Sequence, residues 1–492
     1  MERYILAIDQ GTSSSRAVVY DDGFNPVAVS QCEVRAHSAP GGIVEQDADE
    51  LVSSVRTVLD EVIAAIGDAR LIHAMGITNQ RETFVLWERS SGAPVHPAVV
   101  WQDTRSAERC RIIAEDAPRL IELRQRTGLL SDPYFSGSKL AEVLDADAEL
   151  RRRAEAGEIA FGTVDSWLLW NLTDGVVHRT DPTNASRTLL YNIEARNWDD
   201  WLCNLLGVPR ALLPEVHHGE EPFGNVYLGE HRHPVPVLGL LGDQHAALLG
   251  SGGNQAGACA VTYGTGAFFM SHTGDQRMQS DAGLLTTLAV RAPGHCGYAF
   301  EGSIFSAGIG LRWLRDNLRC FDDYEQIEPM LEGFEPGAVY ALPAFTGLGA
   351  PHWRPDARAS FHGLTLHSDR RDLVYAVLEA SCMHTAELLD SMITDGAAPK
   401  GALRAGGGMA RAPAFLQMLS DILQIPVARP VHEETTAQGV VLMCAMALGW
   451  CSPADVSERV VCDLEVQPQR TQAWAAARRA DWQEHVERQL TP

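Results

Sequence analysis

The chain has 492 residues, 45% of them hydrophobic and 21% charged, enough apolar material for more than one core. Its formal net charge of -24 gives an acidic surface that repels phosphate backbones and anionic lipid, which argues against nucleic-acid and membrane partners. The opening residues carry no basic leader before a long apolar run, and residues 440–450 are too few to span a bilayer, so neither a signal peptide nor membrane insertion is expected.

Residues 4–21 predict a buried strand, a polar turn and a second strand. The turn carries Gly11, Thr12, Ser13 and Ser14, whose N–H and O–H groups form a row of donors. Residues 76–83 close an apolar strand with adjacent Arg81 and Glu82. A guanidinium can donate to a hydroxyl and a carboxylate can accept from one, which suits a polyol; a solvated surface ion pair is the competing reading. Trp101 and Tyr134 each place an aromatic ring at a strand or turn end, either in a core or against the carbon face of a small ligand. His217, His218, His231 and His233 lie in Pro/Gly-rich sequence without a carboxylate at metal-site spacing, and are read as loop residues.

Residues 239–248 predict a strand that ends at Asp243 and then a helix. Asp243 is there a helix cap or a base near a hydroxyl. The glycine-rich residues 250–257 set a boundary between 1–250 and 251–492. Residues 258–270 repeat the opening pattern, with Thr262, Gly264, Thr265 and Gly266 at the turn, and so suggest a duplicated domain with a ligand between the copies. A helix is predicted over 372–390, with Asp372 as N-cap and Leu373, Ala376, Val377, Ala380 and Met383 on one face. Gly406, Gly407 and Gly408 precede a second predicted helix, 413–423. Backbone without Cβ atoms can lie against a flat or charged ligand, or simply connect two elements. His245 and His384 fall on predicted helices as packed, hydrogen-bonded residues. The ten cysteines form no C-x-x-C pair and read as reduced, mostly buried thiols of a cytoplasmic protein. Alternating strands and helices imply an α/β fold with mixed sheets.

In this order the segments resemble the FGGY family of carbohydrate kinases, from about Tyr4 to about Trp450. The densest matches are residues 9–16, 76–83, 132–139, 161–167, 180–188, 242–248, 262–268 and 345–351, with a further signature from 361 to 379. The resemblance implies an actin-like (ribonuclease H-like) fold of two duplicated α/β domains around a central catalytic cleft. Residues 1–250 would bind polyol and phosphate, and 251–492 nucleotide. It implies ATP-dependent phosphorylation of a small polyol with Mg2+, glycerol being favoured, to give sn-glycerol 3-phosphate and ADP. An erythritol-like polyol, dihydroxyacetone, or a non-catalytic actin-like sugar sensor are the alternatives, and a homo-oligomer is left open.

By the same resemblance Thr12, Ser13, Ser14 and Arg16 meet the nucleotide phosphates, with Thr265 from the second hairpin. Gly308, Arg312, Gly408 and Ala412 line the nucleotide site, and Asp9 helps to hold Mg2+. Arg81, Glu82, Tyr134, Asp243 and Gln244 hydrogen-bond the polyol, Trp101 and Phe268 cover its carbons, and Asp243 removes the proton. The sequence departs from the family pattern at Ala405 and Gly406, where Val-Asp is usual. Arg312 stands for a Gln, Ala412 for an Asn and Glu142 for a Trp. Residues 228–233 lack the Gly-Gly-Lys-Gly-Gly run that binds fructose 1,6-bisphosphate in some members, so allosteric control is not carried over.

Overall fold

The apolar run at the start of the chain forms strand β1 (Tyr4–Gln10), which turns through Gly11 into β2 (Ser14–Tyr20) and continues to β3 (Pro26–Glu33). This computed structural model describes residues 2–490. β1 and β2 pair antiparallel with Asp9 opposite Arg16, and Gly11 N–H closes the turn on the Ser14 carbonyl at 2.9 Å. β4 (Ile72–Asn79), β5 (Asn225–Leu228) and β6 (His233–Gly242) complete a six-stranded sheet in the order β5-β6-β4-β1-β2-β3. β1, β4 and β6 run parallel, with Gln10 opposite Asn79 and Asn79 opposite Gly242. Three strands therefore end level, and in such sheets ligands gather beyond the carboxyl ends.

The chain divides into two compact units. The first comprises Met1–Gly250, Thr286–Tyr298 and Thr436–Val456, and the second Ser251–Leu285, Ala299–Thr435 and Ser457–Pro492. In the first, the helix Ala48–Ile66 is capped by Asp47 and packs on β2 and β3 through Leu51, Val55, Val58 and Val62. The helix Thr435–Ala447 packs onto the same unit. A Cβ on Gly76 would lie 2.7 Å from Val440 Cβ, so bare backbone at Gly76 is what lets this helix approach. A second, antiparallel sheet has the strand order 36–39, 43–46, 94–99, 84–88, 159–163. Trp87 on it is fully buried against Trp167, with ring centroids 5.2 Å apart.

In the second unit β7 (Cys259–Tyr263) and β8 (Ala267–Gly274) form the second hairpin. With β9 (His295–Ile304, whose residues 299–304 belong to this unit), β10 (Leu403–Gly407), β11 (Val427–Pro430) and β12 (Cys462–Val466) they form six strands of a seven-stranded sheet, in the order β9-β8-β7-β10-β11-β12. β7 pairs antiparallel with β8 and parallel with β10, as β1 does with β2 and β4, so the same local plan occurs twice. The helix Pro413–Leu423 has the predicted bounds. The other predicted helix runs Arg370–Thr394, and its N-cap is Asp369. Asp372 sits at N3 and completes a capping box by accepting from the Asp369 N–H, a correction that follows from a helix starting one turn earlier.

None of the ten cysteines is in a disulfide, and seven of them are buried. His245 is hydrogen-bonded as expected, 3.1 Å from Thr287 Oγ1. His384 is not: its Nε2 has no hydrogen-bond partner, its ring meets Trp482 edge-on, and burial pushes its pKa down to about 4, so it packs as a neutral ring. Among the described residues no group of three or more His, Cys, Asp or Glu is arranged to hold a metal, and no helix is long and apolar enough to cross a membrane.

Candidate active site

The level ends of β4 and β6 bring Arg81 and Glu82 to Asp243. Gly242 permits it, since a Cβ there would lie 2.7 Å from Arg81 Cγ. Arg81 Nε is 3.2 Å from Asp243 Oδ1 and 4.0 Å from Glu82 Oε1. Glu82 is held with φ +62°, a strained conformation for a non-glycine residue and one that functional sites often retain. Two contacts fix it: Arg187 Nε donates to its Oε1 at 2.6 Å, and the Ser136 hydroxyl donates to its carbonyl at 2.8 Å. The Arg187 guanidinium also lies over the Tyr134 and Phe135 rings, at 5.6 and 5.1 Å.

Asp243 opens the helix Asp243–Gly250 and accepts the Gln244 N–H at 2.7 Å, so it has the terminal position expected of a cap. Burial pushes its carboxyl up to about 7. Arg81 opposes that rise and Glu82 adds to it. With 27% of its side chain open to solvent, Asp243 can still exchange a proton.

The strand ends are tied together from one side. Asp181 accepts from the Thr183 N–H and hydroxyl and from Asn184; Thr183 Oγ1 accepts the Gly242 N–H at 2.9 Å; Asn184 and Asn79 exchange amide hydrogen bonds. Trp101 meets Tyr134 edge to face, with centroids 5.7 Å apart, and its Nε1 donates to Thr12 Oγ1 at 2.9 Å. The Thr12 carbonyl accepts from Gln46. One hydrogen-bonded series thus runs from the aromatic pair to the first hairpin turn, where Ser13 is exposed and Thr12, Ser14 and Arg16 are half-buried. Asp9, at the end of β1, accepts the Thr436 hydroxyl at 2.5 Å. Burial raises its pKa, while Thr436 and Arg16 pull it back. Magnesium usually takes one or two carboxylates, its remaining ligands being water and phosphate, so a single carboxylate beside a donor-rich turn fits that ion.

In the second unit the turn 264–266 meets the start of the helix Gly308–Asp316. The N–H groups of Ala307 and Ile309 both donate to the Thr265 carbonyl, and that of Gly308 to the Gly264 carbonyl. A Cβ on Gly308 would lie 2.5 Å from the Gly264 oxygen, so the approach requires glycine. Gly407, with φ +86°, passes equally close to Tyr263, while Gly408 has nothing within 4 Å of a Cβ position and leaves open space. Ala412 begins the helix Pro413–Leu423 with no side-chain cap. Arg312 is exposed one turn into its helix, and Phe268 lies on β8 opposite Thr262. Thr265 and Gly308 are therefore direct neighbours, and Arg312 stands further along the helix.

Two residues at the site were not singled out by sequence reasoning. Arg187 lies inside a matched segment but had no assigned role, and Thr436 lies 427 residues from the Asp9 it contacts, where no local pattern marks it.

A β1–β2 turn rich in donors, a carboxylate–guanidinium cluster beside it and a repeat of the same hairpin plan define an actin-like phosphotransferase. The N-terminal domain description of the FGGY family of carbohydrate kinases matches residues 4–250, and the C-terminal domain description matches residues 259–448. The chain belongs to the FGGY family of carbohydrate kinases. It is 46% identical over 459 residues to a protein named glycerol kinase from Rhodospirillum rubrum, with 92% of each chain covered. It is 44% identical to one from Thermus brockianus, covering 99% of this chain and 98% of that one. Among solved structures it is similar to Plasmodium falciparum glycerol kinase with ADP, at TM-score 0.91 and 32% identity over 100% of this chain and 99% of that chain.

Proposed function

We propose that this kinase transfers the terminal phosphoryl group of ATP to a primary hydroxyl of glycerol, giving sn-glycerol 3-phosphate and ADP. The observation that carries the reading is the Arg81–Glu82–Asp243 cluster: one donor and two acceptors within about 4 Å, matched to adjacent hydroxyls that each donate and accept. Relatives named glycerol kinase at 41–46% identity over at least nine-tenths of this chain support the choice of polyol.

Asp243 accepts the proton of the attacking hydroxyl as its oxygen bonds to phosphorus and the bond to the leaving ADP oxygen breaks. Arg81 holds Asp243 and donates to the polyol, and Glu82 and Gln244 pair with its other hydroxyls. Trp101 and Tyr134 face its carbons. Thr12, Ser13, Ser14 and Arg16 offer donors to phosphate oxygens, while Thr265, Gly308 and Gly408 give the nucleotide close backbone, with Arg312 and Ala412 at the periphery. Asp9 is the residue to hold Mg2+, which when bound neutralises phosphate charge. A buried site with paired hydroxyl partners rejects analogues that leave one of those partners unpaired.

The test is ADP release by the purified protein on a panel of glycerol, erythritol and dihydroxyacetone. Glycerol is expected to give the highest kcat/KM. Equal or faster turnover on the four-carbon polyol overturns the assignment of glycerol, and nucleotide binding without ADP release on any of the three overturns the enzymatic reading.

A further inference from the structure

Lys139 is the fourth residue of the helix Ser136–Ala146, and its side chain is fully buried. Neither fact favours a lysine. A cation near a helix N-terminus opposes the helix dipole, and burying an ammonium ion is costly unless its donors are satisfied. Here they are. Nζ donates to the carbonyls of Pro133 and Tyr134 at 2.8 Å each and to that of Trp101 at 3.2 Å. Three N–H groups meet three oxygens drawn from two separate loops, and those loops carry the edge-to-face rings of Trp101 and Tyr134.

We infer that Lys139 is a positioning residue that sets the spacing of the Trp101–Tyr134 wall and so determines affinity for the polyol rather than the rate of phosphoryl transfer. The inference rests on the proposed role of those two rings. Lys139 touches them only through the main chain, and nothing in the cradle is a reacting group.

The chemistry also makes the brace sensitive to pH. Burial pulls the Lys139 pKa down to about 8, while the carboxylates of Glu82, Asp103 and Asp132 hold it up. Asp103 is itself paired with Arg105, and Glu82 with Arg187. A neutral amine has two N–H donors and a lone pair, so above about pH 8 one of the three carbonyls loses its donor and faces a lone pair. The cradle is complete below that pH and opens above it.

The experiment compares Lys139→Met with the unaltered protein by steady-state kinetics and by hydrogen exchange of the peptides around 99–103 and 132–136. The variant is expected to raise the glycerol KM about tenfold or more, with kcat at saturating glycerol and the KM for ATP within about twofold. Exchange should speed up in those two peptides and not in the helix Ala48–Ile66. An unchanged glycerol KM, or exchange that rises equally throughout the chain, overturns the inference. The unaltered protein supplies a second measurement if the variant fails to fold. Its glycerol KM should rise from about pH 8 upward while the KM for ATP stays level, and a flat glycerol KM to about pH 10 overturns the inference equally. Absence of turnover on every polyol would instead defeat the functional reading, and the hydrogen-exchange comparison would still decide the brace.

Discussion

At the scale of single residues, the proposed chemistry depends on Asp243 being ionised. Its carboxyl is pushed up to about 7, so the base is protonated below that pH, and kcat/KM should fall about tenfold per unit on the acid side. The sign for stability is opposite. Between the ordinary carboxyl pKa of about 4 and about 7 the native state holds a proton that the unfolded chain has lost, so this group makes folding less favourable as pH rises through that window. Asp243→Asn should lower kcat by about 10²–10⁴-fold, remove the acid limb and leave ADP affinity nearly unchanged; a pH–rate profile of the variant with its limb intact would assign that limb elsewhere. Arg187→Met removes the cation from a pair exposed by only 0% and 2%, leaving Glu82 buried without it. Breaking such a pair costs about 3–5 kcal/mol, and the variant should both melt earlier and bind glycerol more weakly. A wild-type melting temperature with unaltered glycerol KM would contradict this. Arg81, Glu82 and Asp243 were legible because each stands just past an apolar run that reads as a strand. Arg187 was not, because its contact with Glu82 spans 105 residues and an arginine in a polar segment resembles a surface charge.

At the scale of elements, close backbone approaches separate glycines that the packing requires from those that it does not. Gly407 has φ +86°, and a Cβ there would lie 2.3 Å from the Tyr263 carbonyl oxygen, so Gly407→Ala must move β10 away from β7. The conformational strain alone is about 1–3 kcal/mol, and a marked loss of thermal stability is expected. Gly408, one residue on, has an unrestricted φ and no neighbour within 4 Å. Gly408→Ala should therefore leave the melting temperature nearly unchanged and weaken only ADP binding, measured by calorimetry. Equal destabilisation by the two variants would refute the distinction. The sequence showed three successive glycines without separating their roles, because φ and the opposing strand are set by pairing that no local pattern encodes. Both hairpins were readable from apolar runs flanking small polar residues. The five-stranded sheet was not, since several of its strands have only four or five residues and join segments from 36–39 to 159–163. The N-cap was misplaced because Asp369 and Asp372 both suit a helix start, and only the hydrogen bonds show which one caps.

At the scale of the whole molecule, the glycine-rich stretch suggests a single boundary after residue 250, whereas the first compact unit is not continuous in sequence. Residues 286–298 and 436–456 return to it, and composition gave no sign of that, because a helix buried against one unit looks like a helix buried against the other. The consequence is specific. Residues 437 and 440–445 are all buried, Val440 fills the space above Gly76, Gly439 backs onto the Ala246 carbonyl, and Thr436 holds Asp9. A fragment of residues 1–250 would expose the apolar faces of β4 and β6 that this helix covers, and would leave Asp9 without its Thr436 partner. Each buried aliphatic side chain of the missing helix is worth about 1.5–3 kcal/mol, and several together exceed what a domain can lose from a net stability of about 5–15 kcal/mol. The fragment should retain far-ultraviolet helix and strand signal, lose near-ultraviolet signal and bind a hydrophobic dye, as a collapsed state without fixed packing does. Fusing residues 436–456 to it through a flexible linker should restore near-ultraviolet signal and a cooperative melt. A fragment 1–250 that melts cooperatively without the added segment would show that the returning helix is an accessory to a unit already stable by itself.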